Sequence, residues 1–415
     1  MHYVDIITES TYNIFSKTSK PNQSALSGGQ KMNQNQKQKK KKNAWQKYLA
    51  MALMVLTGIF FGILIAMYED QRGVFEKSFQ EEILSIIVTL LIIYVALFVN
   101  IIIHEAGHLI FGLLSGYTFT SFRILSFMWI KEDGKMKLRR FSIPGTAGQC
   151  LMAPPDLMDG NFPVVLYNLG GSLMNIIAAL LFLGLFFVFA DIPFLSTTAL
   201  SFSLLGFISA IMNGIPMQMG SVNNDGYNAF LLVRNPEAMR SFWVQLKVNE
   251  QIAKGIRLKD MPDEWFDVPS DEAMQNGMVT VTGVLACNRL MDAQQFEEAD
   301  TLMEHILNID SGMVDLHRSL IICDRMYVEL ITANRKEILD TMLTRKQKKF
   351  MKQMKSFLPV LRTEYVYVLL CEKDHGSAEK IRIRFEKCAK TYPYPNEVQS
   401  ERELIEIAEN SVQPF

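Results

Sequence analysis

Between Pro163 and Asn224 the chain carries a single ionisable side chain, Asp191. No soluble domain can close its surface on so little charge, so this stretch must fold inside a bilayer. A hydrocarbon core about 30 Å thick needs about 20 apolar residues in helical form, because lipid offers nothing to an unpaired backbone group. Four segments meet that requirement: Tyr48 to Tyr68, Ile83 to about Gly116, Pro163 to Ala190, and about Leu195 to Pro216. The first is read as a retained span rather than a signal peptide. Its uncharged run is long for that role, and no small-x-small cleavage site follows before Glu69-Asp70.

The 415-residue chain has a formal net charge of -1, but that average conceals three unlike parts. Residues 1–47 hold nine Lys against Asp5 and Glu9 among Gln, Asn and Ser, the composition of a disordered basic tail. Residues 48–225 hold eight Lys/Arg and twelve Asp/Glu, whereas residues 226–415 hold 25 and 29, the charge density of a water-exposed surface. A soluble single-domain enzyme, a secreted disulfide scaffold and a nucleic-acid binder are thereby excluded or disfavoured. Lys/Arg numbers in the connections run nine before the first span, two in Glu69 to Glu82, six in Tyr117 to Phe162 and none near Asp191. High, low, high, low places both termini in the cytosol. The five cysteines have no paired spacing, as expected of reduced cytosolic thiols.

His104-Glu105-Ala106-Gly107-His108 lies inside the second span. Residues four apart share a helix face, so both imidazoles can hold one metal ion, with Glu105 beside them to take a proton from an attacking water. Ionisable groups in a span are costly and are retained mainly where they pair or function. Three in five positions, with no Lys or Arg nearby, call for a cation, and zinc suits two imidazoles. The alternative is that these residues only mark the wet cytosolic end of the span, which explains polarity but not the HExxH order. A catalytic zinc usually has three protein ligands. Asn224-Asp225-Gly226 brings the first carboxylate after Asp191 to the same leaflet, which makes Asp225 the third candidate, with Gly226 permitting a tight backbone turn. Asn175 and Asn213, amides within spans, either contact a peptide carbonyl or oxyanion, or clamp helices together.

With HEAGH in a span, Gly-Gly-Ser-Leu-Met-Asn at 170–175 in the next, and Asn213-Gly214-Ile215-Pro216 followed by Asn224-Asp225-Gly226 after the last, the chain resembles the site-2 protease family of intramembrane zinc metalloproteases over about residues 83–228. That family has a three-helix core with HExxH, a Gly-Pro-x-x-Asn, and an Asn-x-x-Pro leading to Leu-Asp-Gly. The resemblance implies one zinc per chain held by His104, His108 and Asp225, Glu105 as general base, and Asn175 and Asn213 as substrate or transition-state contacts. It departs from the family at Ser172, where Pro is usual, at Asn224, where Leu is usual, and in the nine positions from Pro216 to Asp225. Alternation around Phe122 to Trp129 and Lys135 to Phe141, with Glu132-Asp133-Gly134 between them, reads as a β-hairpin. It is similar to the family's membrane-associated β element, which can hold an unwound substrate by strand addition.

The expected fold is therefore mainly α. It comprises a disordered tail (1–47), a first span (48–68), a metalloprotease core of three spans plus the hairpin loop 117–162 (83–228), a linker (229–274) marked by an acidic, Pro-containing stretch, and an α-helical cytosolic domain (275–415). In the last, Asn288 to Asn308 and Val366 to Tyr392 each read as helix, short polar turn, helix, with Ala299 and Ala378 suited to close, tetratricopeptide-like packing. The expected setting is a bacterial cytoplasmic membrane, with the bilayer, a membrane-protein or peptide substrate, and a protein bound by the helical domain as partners, and no nucleic acid. The rival reading is a catalytically inert membrane scaffold whose helical domain recruits partners.

Overall fold

A computed structural model describes residues 79–132, 134–141, 146–219 and 222–411. The expected basic tail and first span lie outside the described residues. Two compact units divide the described chain. One holds the helices up to Ser115 together with Pro163–Leu231, the other Gly116–Phe162 together with the chain from Leu232 onward.

In the first unit three helices are long and apolar enough to cross a membrane: α1 (Phe79–Leu114, its apolar part Ile83–Leu114), α2 (Val165–Val188) and α3 (Pro193–Gly214). Their outward side chains are large and apolar. Leu90 is 60% exposed, Leu181 67% and Val188 73%, exposures a water-facing surface would not sustain over three adjoining helices. Polar groups turn inward instead: Asn100, His104, Asn168, Asn175, Ser201, Ser203 and Asn213 are all buried. Helices meant for lipid would gain no hydrophobic force from each other and would rely on close backbone approach, which small residues permit. A Cβ on Gly107 would lie 2.3 Å from the Gly170 carbonyl oxygen, and one on Gly170 2.7 Å from that of Gly107. After α3 the chain forms a two-stranded ribbon, Gln218–Met219 paired with Val222–Asn223, and enters the short helix α4 (Asp225–Arg234).

The second unit contains an antiparallel sheet of β1 (Thr118–Ile124), β2 (Phe127–Glu132), β3 (Lys135–Arg140) and β4 (Gly148–Ala153), in the order β3-β2-β1-β4. The expected hairpin is thus β2 and β3 alone. Glu132 pairs Lys135 across the expected two-residue turn, where Gly134 has φ +75°. The stretch Phe122 to Trp129, expected as one strand, is split by a second tight turn at Leu125-Ser126, with Ile124 pairing Phe127. Leu125 adopts φ +54° there, a conformation that no Gly, Asn or Pro announces.

The sheet packs with the helical domain. Met128, Ile130 and Phe141 share a core with helices of the C-terminal half, and Phe141 stacks on Phe357 with ring centroids 6.2 Å apart. The expected linker is likewise largely structural. Asn235 caps α5 (Pro236–Ala253) by accepting from the Ala238 amide at 2.9 Å, and Pro236 opens it. Phe242, Val244, Leu246, Val248 and Ile252 on this helix are buried. Trp243 Nε1 donates to the Pro155 carbonyl at 2.9 Å, fastening α5 beside β4. The acidic stretch forms 3-10 turns whose apolar residues, Leu258, Met261, Phe266 and Met274, enter the core. Its charges face outward, so its composition resembled a linker while its buried residues did not.

The remaining helices are α6 (Gly277–Asp292), α7 (Phe296–Asn308), α8 (Asp315–Ile331), α9 (Lys336–Met342), α10 (Arg345–Gln353), α11 (Leu358–Val366), α12 (His375–Ala389) and α13 (Pro395–Asn410). The two expected helical hairpins are present as α6–α7 and α11–α12. Their turns use left-handed Gln294 and Lys373, and Ala299 and Ala378 are buried. Between them α8, α9 and α10 have 17, 7 and 9 residues, so no constant repeat length connects the pairs. All five cysteines are free.

Candidate metal centre

His104 and His108 occupy successive turns of α1, four residues apart, and Asp225 is the first residue of α4. These elements bring three donor atoms together: His104 Nε2 lies 3.0 Å from Asp225 Oδ2, His108 Nε2 3.5 Å from the same oxygen, and the two Nε2 atoms 3.2 Å apart. Among the described residues this is the His/Cys/Asp/Glu group whose donors converge as a metal site requires. Zinc bond lengths of about 2.0–2.1 Å in a tetrahedron put ligand atoms about 3.3 Å apart. The three separations bracket that value, so the donor set fits a zinc-sized ion with one open corner. Burial alone would raise the Asp225 carboxyl, but the imidazoles of His108 and His104 beside it hold it well below the usual carboxylate range.

Each donor is fixed from behind. His108 Nδ1 donates to the Tyr167 carbonyl oxygen at 2.7 Å, which leaves the Nε2 lone pair facing the cluster. His104 Nδ1 lies 3.4 Å from Asn175 Nδ2. Its ring rests against Gly171, where a Cβ would come within 2.4 Å of His104 Cε1. The Gly-Gly pair at 170–171 therefore does two jobs. Gly170 lets the helix backbones meet, and Gly171 makes room for the imidazole.

Asp225 is placed by its neighbour. Asn224 Nδ2 donates to the carbonyls of Met212 (2.7 Å) and Ile215 (2.6 Å), while its Oδ1 accepts from the amides of Met217 (3.0 Å) and Tyr227 (2.9 Å). This one side chain ties the end of α3, the following loop and the start of α4 together. The longer link between Pro216 and Asp225 is thus folded back on itself. Gly226 was expected to supply a backbone turn, yet it lies within α4. It is needed for contact, since a Cβ there would stand 2.1 Å from the Gly214 carbonyl oxygen.

Glu105 is buried beside the histidines. Asn175 reaches the site through His104, and its Nδ2 also donates to Ser209 Oγ at 2.6 Å. Asn213 is not brought among the donors, and its Nδ2 donates one turn back to the Ser209 carbonyl at 3.0 Å. Tyr167, Ser209 and Asn224 were not anticipated. The Tyr167 contribution is a backbone carbonyl and leaves no trace in sequence. Ser209 is a hydroxyl on an apolar helix one turn before Asn213, a weak but readable signal. Asn224 stood out only as a departure from the family pattern.

Compared with family models, curated proteins and solved structures, the chain matches none.

Proposed function

We propose that this chain is a zinc metalloprotease of site-2 type that hydrolyses peptide bonds of membrane-embedded or membrane-associated substrates in the cytosolic leaflet. The observation that carries the reading is the convergence of His104, His108 and Asp225, at zinc-ligand spacing, beside a buried glutamate on a helix long and apolar enough to cross a bilayer. A zinc ion held there would supply a Lewis acid and a water acidic enough to ionise near neutral pH.

The chain's own residues do the rest. Glu105 follows His104 directly in the HExxH order, so its carboxylate is positioned to take the proton of the attacking water and return it to the leaving amine. The buried helical surroundings limit bulk water, which strengthens each electrostatic contact. A substrate helix must unwind to present a carbonyl, because a helical backbone hides its own. The helical domain supports substrate recruitment or regulation by a bound protein, in tetratricopeptide-like fashion or as plain helical hairpins.

Glu105→Gln separates this from the inert scaffold. New peptide N-termini are quantified in membranes of cells expressing the native chain or the variant. The protease reading expects a set of cleavages that falls by a factor of about 10² to 10⁴ in Glu105→Gln at unchanged zinc content. Identical profiles for the native and variant chains would reject it.

A further inference from the structure

The outer side of His104 is where the donor cluster meets a partner able to face either way. Asn175 is fully buried, and its Oδ1 has no hydrogen-bond partner in the orientation seen, in which Nδ2 faces both His104 Nδ1 and Ser209 Oγ. With His104 Nε2 hydrogen-bonded to the Asp225 carboxylate at 3.0 Å, the ring proton sits on Nε2 and Nδ1 accepts. A metal on Nε2 demands the other tautomer, with the lone pair on Nε2 and the proton on Nδ1. Nδ1–H then needs an acceptor, which Nδ2 cannot be. The two ends of an amide have nearly the same size, so a half-turn of the Asn175 side chain presents Oδ1 instead. Ser209 can follow, because a hydroxyl that accepts from Nδ2 can donate to Oδ1. His108 differs, since a backbone carbonyl holds its Nδ1 and a carbonyl can only accept.

We infer that Asn175, backed by Ser209, is a reversible support for His104 that serves the metal-free tautomer in one amide orientation and the metal-bound tautomer in the other. It is then a positioning residue for a ligand and not a substrate contact. A carboxylate at this position would suit only the loaded state, and an alkyl group neither. The inference rests on the metal-site reading above.

The test uses the full chain in detergent and zinc alone, with affinity measured by competition against a chromophoric chelator and Co(II) absorption as the coordination signature. Asn175→Ala is expected to weaken zinc binding about 10- to 100-fold and to perturb the Co(II) bands. Asn175→Asp, which restores an oxygen acceptor in the same volume, is expected to recover affinity to within a few fold. Ser209→Ala, a milder change, should weaken zinc binding roughly three- to tenfold, since it removes only the backing hydroxyl. Recovery by Asp separates tautomer support from packing, because a packing role has no preference for an acceptor. Native zinc affinity in both Asn175→Ala and Ser209→Ala, or no recovery in a folded Asn175→Asp, would overturn the inference. A native chain that binds no zinc would overturn the underlying metal-site reading instead.

Discussion

At Gly171 one missing methyl group decides whether the cluster can form. The His104 ring occupies the space a Cβ would need, with contacts of 2.4–2.6 Å to three ring atoms. Backbone and ring cannot both stay in place, so Gly171→Ala is expected to lower zinc affinity by about 10- to 100-fold, the range found when a ligand's supports are disturbed. Helix content by circular dichroism should hold. Unchanged zinc affinity in Gly171→Ala would show that the ring does not lie where α2 passes it. The converging donors were legible in sequence, because His104 and His108 have a fixed helical spacing with Glu105 between them, and ionisable groups are rare in long apolar helices. Asp225 was legible by its position at the end of an apolar run. The supports were not, since a carbonyl at Tyr167, a hydroxyl at Ser209 and space at Gly171 are products of helix crossing and not of residue order.

At the scale of elements, the site depends on how α3 hands the chain to α4. The Asn224 side chain makes four hydrogen bonds at that junction. Removing a buried polar partner costs about 1–3 kcal/mol for each group left unsatisfied. Asn224→Ala should therefore loosen the loop from Ile215 to Asp225, with earlier proteolytic nicking between those residues and zinc affinity down at least tenfold. Native protease resistance in that variant would mean the loop is held by other contacts. The sheet shows the opposite balance. Alternation found β2 and β3, because period two is a strong signal, but it missed the break at Leu125 and the strand β4. Register there is set by pairing with β1 and packing on α5, neither of which a local pattern contains. The acidic stretch after α5 misled for a similar reason, its outward charges outnumbering the four apolar residues that anchor it.

At the scale of the whole molecule, membrane and helical units answer to different physics. The C-terminal unit buries His317, and burial pushes its imidazole down to about 4 from the ordinary 6.5. Between those values the unfolded chain carries the proton and the folded chain does not, so stability falls as pH drops from 6.5 toward 4. At about 1.4 kcal/mol per unit the loss approaches about 3 kcal/mol. His317→Leu removes this dependence, so the melting temperature of the variant relative to the native chain should rise steadily over that interval. A constant difference would show that His317 is not buried as a neutral group. The three long apolar helices were readable from apolar length alone, whereas the assignment of residues 116–162 to the C-terminal unit was not, because sequence neighbourhood suggested those helices and shared core residues decided otherwise.

The central claim, that His104, His108 and Asp225 hold a zinc ion which Glu105 does not ligate, is tested most directly by elemental analysis of zinc per chain. The protein is purified in detergent without chelators, and the native sequence is compared with His108→Ala, Asp225→Ala and Glu105→Gln. About one zinc is expected in the native chain and in Glu105→Gln, and little in the other two. A native chain without zinc, or one that keeps it after both ligand substitutions, would contradict the account.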